Sequence, residues 1–146
     1  MKKILFTAHS LEIGGIEKSL VTLLNRLAKN DEYEITLVLE KKFGALLNEL
    51  NKNIKIIEYK PSYNKNKLIS KTINALKRIS CILKFKNKYD ASFSYATYCK
   101  MGAMVAQTAS TNSNLWVHSS YLKMFDNNEK KYKDFFEELN VNKFKK

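Results

Sequence analysis

Short apolar runs alternate with helical segments along this chain, and that alternation constrains the fold more than any other feature. Residues 4–8, 34–39, 54–59, 91–95 and 115–118 are short runs rich in β-branched and aromatic residues, a strand signature. Between the first two, Ile16, Leu20, Leu23, Leu24 and Leu27 recur at helical spacing, and the periodicity fades near residues 29–30. Residues 43–50 read as a short helix, 68–85 as a long amphipathic one, and 100–109 as a small-residue helix packed closely on its neighbours. A polar helix is expected over 130–139. In the long helix, Ile69, Ile73, Leu76 and Leu83 are expected to face the core, and Trp116 also reads as core. Strands alternating with helices predict an α/β fold: a mostly parallel sheet between two helical layers, joined by right-handed crossovers. A chain of 146 residues can bury enough surface to fold without a disulfide or metal staple.

The formal net charge of +12 invites a nucleic-acid reading, but its distribution argues against one. Residues 60–88 carry nine basic groups and no acidic one, so most of the excess sits in a single stretch. Only Arg26 and Arg78 supply the planar fork that base edges and phosphates favour, and no nucleic-acid partner is expected. Lys71, Lys77, Arg78 and Lys84 form either a solvated helix face or a contact for anionic lipid at a membrane surface. Cys81 and Cys99 have no paired ligand spacing, so neither a metal site nor a redox pair is expected, and two reduced buried thiols point to the cytoplasm. No apolar run has the length of a bilayer span, and the Lys-Lys start has too short an apolar stretch for a signal peptide.

Ligands of open parallel sheets bind at the carboxyl ends of the strands. Three segments fall there: residues 9–15 after the first strand, Tyr95 to Thr97 after the fourth, and His118 to Ser120 after the fifth. Gly14 and Gly15 open the first helix, where free N–H groups attract anions and a bare backbone permits close approach. Glu17 in the first turn would repel a phosphate, and Lys18 offsets this only in part. The pattern lacks the third glycine of a dinucleotide fingerprint and has no P-loop. His118 is the leading catalytic candidate, and His9 would line the same cleft or lie in solvent.

The stretch KKILFTAHSLEIGGIEKSLVTLLNRLAKNDEYEITLVLE resembles the opening of the family-4 glycosyltransferases that build bacterial polysaccharides and lipopolysaccharides. The later LWVHSSY is similar to that family's Trp-Val-His segment. The resemblance implies two facing Rossmann-like domains, the GT-B fold, with this chain as the acceptor-side domain over residues 1–146. It implies transfer of a sugar, with retention of configuration, from a nucleotide-sugar donor to a glycan or lipid-linked acceptor. No metal and no cofactor beyond the donor substrate are implied.

By the same resemblance, Gly14 and Gly15 would approach the donor diphosphate and His118 would face the transferred sugar. His9, Glu17, Lys18, Tyr95, Thr97 and Ser119 would border the acceptor side of the cleft. The basic stretch would suit peripheral contact with the inner face of the cell membrane. The donor-gripping half with its Glu-x7-Glu pattern has no counterpart here, since Glu32/Glu40 and Glu129/Glu137 lie in the wrong context. The chain is therefore expected to stop before the domain's last strand and to be inactive alone. The rival expectation is a non-catalytic module that binds anions or a membrane surface.

Overall fold

The computed structural model describes residues 1–62, 65–96 and 98–145. Five strands, β1 (Lys2–Ala8), β2 (Tyr33–Leu39), β3 (Lys55–Glu58), β4 (Ala91–Ser94) and β5 (Ser113–Leu115), form one sheet in the order β3-β2-β1-β4-β5. Every pairing is parallel. Alternate residues of β1 supply two separate cores. Phe6 and Ala8 pack with Ile35, Leu37 and Leu39 against Leu20, Val21 and Leu24 of α1 (Gly15–Leu27). Leu5 and Val38 face the other way, against Cys81 and Phe85 of α2 (Lys67–Phe85) and Val105 and Ala109 of α3 (Lys100–Ala109). Burial on both faces explains why these strands read as apolar runs rather than as alternating ones. The result is a Rossmann-like α/β/α arrangement, as the alternation predicts.

The chain builds outward from β1 through β2 to β3, then crosses to β4 and β5 on the other side. The topological switch point therefore lies between β1 and β4, at Thr7 and Ser94 in the pairing register. Beyond the strands the pairing continues into the loops. Glu40 N–H donates to Ala8 O at 3.1 Å and Lys41 N–H to His9 O at 2.9 Å. Leu11 N–H donates to Phe43 O at 2.8 Å, and Leu46 N–H to Leu11 O at 3.1 Å. The loops after β1 and β2 are thus held as one unit.

Several expectations need correction. The segment 43–50 contains a 3-10 turn over Ala45–Glu49 instead of an α-helix, with Leu47 N–H donating to Gly44 O and Leu50 N–H to Leu47 O, each three residues back. β5 ends at Leu115, with Trp116 N–H still donating to Ser94 O at 2.9 Å, so Val117 and His118 lie beyond the ladder, and Trp116 is 43% exposed rather than core. α2 is rotated about its axis from the expected orientation, so that of the four residues expected to face the core only Ile73 does. Ile69, Leu76 and Leu83 are exposed, along with Leu68 and Ile79, while Ser70, Ile73, Asn74, Lys77, Cys81 and Phe85 form the better-covered side. The reason is local. Asn74 accepts from Ser62 N–H at 2.8 Å and donates back to Ser62 O at 3.1 Å, and the Lys77 ammonium donates to Lys60 O. These polar ties hold the amino-terminal half of α2 by its polar side, and Cys81 and Phe85 supply the apolar anchor.

Two further helices follow, the short α4 (Tyr121–Met124) and α5 (Glu129–Glu138), the latter close to the polar helix expected from the sequence. Phe135 and Phe136 of α5 pack with Leu139 and Phe144 on Ala103 and Ala106 of α3. Lys145 N–H then donates to Ser113 O at 2.8 Å along the outer edge of β5.

Gly44 has φ +123°, and a Cβ there would sit 2.0 Å from the Leu11 carbonyl carbon. Gly44→Ala adds backbone strain to steric overlap and is expected to destabilise the chain by about 2–4 kcal/mol in urea unfolding. A change below 1 kcal/mol would show that the two loops are not packed together as described.

Candidate functional site

The carboxyl edge of the sheet gathers groups from four elements. His9 follows β1 directly. Its Nδ1 lies 2.7 Å from Oε2 of Glu40, the residue that follows β2. A carboxylate accepts here, so Nδ1 carries the hydrogen and, in the neutral ring, Nε2 keeps its lone pair. The sequence left open whether His9 lies in solvent; it is half-buried and held. On the other side of Glu40, the Cys99 thiol donates to the same Oε2 at 3.4 Å. Cys99 caps α3, its Sγ accepting from Gly102 N–H at 3.3 Å.

Tyr98 stands beside His9 with ring centroids 6.2 Å apart, and its hydroxyl donates to Glu17 Oε1 at 3.0 Å. Desolvation, then the Glu17 carboxylate, pushes the Tyr98 phenol well above its ordinary value, so it remains a neutral donor. Glu17 in turn lies over the start of α1. A Cβ on Gly14 would meet Glu17 Oε2 at 2.3 Å, whereas one on Gly15 would meet nothing within 4 Å. The helix start is therefore already covered by a carboxylate at Gly14 and open at Gly15. Lys18 is exposed one residue further on.

Tyr95, just past β4, is buried. Its hydroxyl pairs with Ser19 Oγ of α1 at 2.9 Å, and its carbonyl faces His118 Nε2 at 2.8 Å. A carbonyl only accepts, so Nε2 of His118 carries hydrogen and, in the neutral ring, Nδ1 is an acceptor. Tyr95 and His118 rings meet at 4.5 Å with 56° between their planes, and Trp116 lies parallel to His118 at 6.1 Å with 12° between planes. Ser119 is exposed beside them. Thr97 lies outside the described residues. At the switch point, Thr7 Oγ1 and Ser94 Oγ are buried without a hydrogen-bond partner. Such orphan hydroxyls cost roughly 1–3 kcal/mol each.

The structure therefore links His118, Tyr95, Glu17 and His9 into one band through Ser19 and Tyr98. The basic candidates lie elsewhere. Lys71, Arg78 and Lys84 are exposed on α2, while Lys77 is half-buried and committed to the Lys60 carbonyl. A concavity of about 830 Å³ lined by Met1, Lys2 and Lys29–Glu32 opens at the amino edge, opposite this band. Glu40, Tyr98 and Cys99 were not identified in the sequence. Glu40 was accessible to the rule that found His9, because it too stands directly after a strand. Comparison with protein-family models finds no match, and no curated protein matches the chain.

Burial pushes the Cys81 thiol up to about 11, eased by Lys84. Burial likewise pushes Cys99 up to about 12, Gly102 N–H acting against and the Glu40 carboxylate with it. An unfolded thiol ionises near 9.0. Stability resting on the neutral thiols is thus full below that pH and falls as pH climbs through this window toward the folded values. Neither thiol should react with iodoacetamide at neutral pH until the chain is unfolded in urea. Rapid native alkylation of either would contradict the described burial.

Proposed function

We propose that this domain forms the acceptor-side wall of a retaining glycosyltransferase that moves a sugar from a nucleotide-sugar to a glycan or lipid-linked acceptor. The observation that carries the proposal is the convergence, at the switch point of an all-parallel sheet, of two histidines, an aromatic shelf and a helix start. The sequence resemblance over residues 2–40 and 115–121 supplies the chemistry.

In this proposal the exposed aromatic face of Trp116 packs against sugar carbons, with Tyr95 supporting it from beneath, and Nδ1 of His118 accepts from a sugar hydroxyl. Gly15 lets a diphosphate approach the free N–H groups of α1, and Lys18 adds a positive charge nearby. Glu17, held by Tyr98, guards that place against a free phosphate. His9, with Nδ1–H fixed on Glu40, turns Nε2 toward an acceptor hydroxyl. In transfer, the bond from the sugar C1 to the diphosphate breaks, the acceptor oxygen bonds to C1, and the acceptor proton leaves. A second Rossmann-like domain would grip the nucleotide, so the chain alone binds weakly and transfers nothing.

Backbone amide NMR tests this directly. UDP-glucose at millimolar concentration is expected to shift amides of Gly15–Ser19 and of residues 118–120. Glu17→Gln should tighten that binding several-fold by removing the repelling charge. Unchanged spectra, or equal effects of NAD, would contradict the assignment.

The exposed side of α2 favours a second role, docking on anionic membrane. Leu68, Ile69, Leu76, Ile79 and Leu83 form an apolar stripe open to solvent, with Lys71 and Arg78 on one flank and Lys84 on the other. Among the described residues no helix is long and apolar enough to cross a membrane. Each basic group near an anionic surface contributes about 1 kcal/mol. In vesicle flotation, phosphatidylglycerol membranes should retain the chain and phosphatidylcholine membranes should not. Lys71→Gln with Arg78→Gln, or Leu76→Ser with Leu83→Ser, should each release it. Retention that survives both pairs would exclude α2 as the contact.

A further inference from the structure

We propose that His9, Glu40 and Cys99 form a binding site for a thiophilic divalent cation, Zn²⁺ above all, at the His9 end of the band described above. One potential ligand atom from each residue lies within 4.8 Å of the other two. The three chemistries, imidazole nitrogen, carboxylate oxygen and thiol sulfur, are those that zinc sites combine. Bonds of ordinary length to a tetrahedral zinc would place N and O about 3.4 Å apart and O and S about 3.6 Å apart. The present separations are 2.7 Å from His9 to Glu40 and 3.4 Å from Cys99 to Glu40. The sulfur and carboxylate are therefore nearly in place. The His9 ring must draw back from Glu40 by less than an ångström while staying within the 4.8 Å that bounds its distance to Cys99, and its side chain is 31% exposed.

The surroundings suit a metal. Each ligand is anchored by backbone pairing: Lys41 N–H on His9 O, Lys60 N–H on Glu40 O, and Cys99 N–H on Ala96 O. Gly102 N–H points at Cys99 Sγ and would support the thiolate. A side chain at position 102 would crowd that sulfur, its Cβ lying 3.3 Å from Sγ and 2.7 Å from Thr7 Oγ1. Without a cation, ionised Cys99 would sit against the Glu40 carboxylate; a divalent ion neutralises both. On binding, the thiol proton and the His9 Nδ1 proton leave those atoms, the second being restored at Nε2. Three protein ligands leave a fourth tetrahedral position for a water or substrate oxygen, unlike the four protein ligands of a structural zinc site. The metal would also clasp together the loops after β1 and β2 and the start of α3, stabilising the fold by mass action.

The test uses the full chain, metal-stripped and reduced. Zn²⁺ should bind at one equivalent in calorimetry and raise the melting temperature. Co²⁺ in its place should give a near-ultraviolet sulfur-to-cobalt charge-transfer band. Cys99→Ser, which keeps a capping side chain on α3, should abolish that band, and Cys81→Ser should leave it unchanged. His9→Gln, at a partly exposed position that should not impair folding, should weaken Zn²⁺ binding at least tenfold. The proposal fails if Zn²⁺ does not bind stoichiometrically, if the cobalt band survives Cys99→Ser or is lost in Cys81→Ser, or if folded His9→Gln binds as tightly as the parent. None of these readouts involves sugar transfer, so failure of the metal site is distinguishable from failure of the proposed activity; Zn²⁺ on His9 Nδ1 makes Nε2 a donor, so the acceptor-hydroxyl contact proposed for Nε2 belongs to the metal-free site.

Discussion

The pairing of β1 with β2 is the interaction on which the rest of the structure depends, because it does not stop where the strands stop. Seven residue pairs run from Lys2 with Tyr33 to Ala8 with Leu39. The same two chain segments then stay tied through Ala8 to Glu40, His9 to Lys41 and Leu11 to Phe43. Ladder bonds are directional, so each fixes the orientation of the residues that follow. That is how a histidine and a glutamate 31 positions apart come within hydrogen-bond reach. The Leu11 turn lies against Gly44, whose left-handed backbone only glycine adopts at low cost.

On the other side of β1, the switch in strand order brings β4 alongside and delivers Tyr95 to the same edge. Tyr95 is the joint of the band. Its hydroxyl reaches α1, its carbonyl fixes the tautomer of His118, and its ring supports Trp116. A buried residue thus sets the geometry of exposed ones. Trp116 N–H makes the last bond of the ladder, to Ser94 O, and its side chain is exposed at the end of β5, the edge strand of the sheet.

Much of the fold was legible because buried parallel strands and the α1 stripe follow simple periods: Leu20 and Leu24 are buried at the expected spacing. α2 was misread for a physical reason. Its apolar residues are spread over a wide arc, so periodicity leaves the rotation of the helix open. The rotation is set by Asn74, Lys77 and Cys81, whose partners, Ser62, Lys60 and the sheet, come from distant pairing. His118 and His9 were legible as strand-end residues, but the Glu40–Cys99 contact was not. It joins positions 59 apart and depends on how closely α3 packs, which Gly102 permits. The membrane and sugar-transfer proposals draw on different faces of the molecule and share no residue.

The central claim is that the loops bearing His9 and Glu40 are extensions of the sheet rather than free connections. Amide hydrogen exchange followed residue by residue tests it most directly. The N–H groups of Leu11, Glu40, Lys41 and Tyr95 should be protected to nearly the same degree as those of β1 and β2, since they are bonded in the same unit. Exchange of these four at the rate of the exposed Asp31–Glu32 turn would contradict the account.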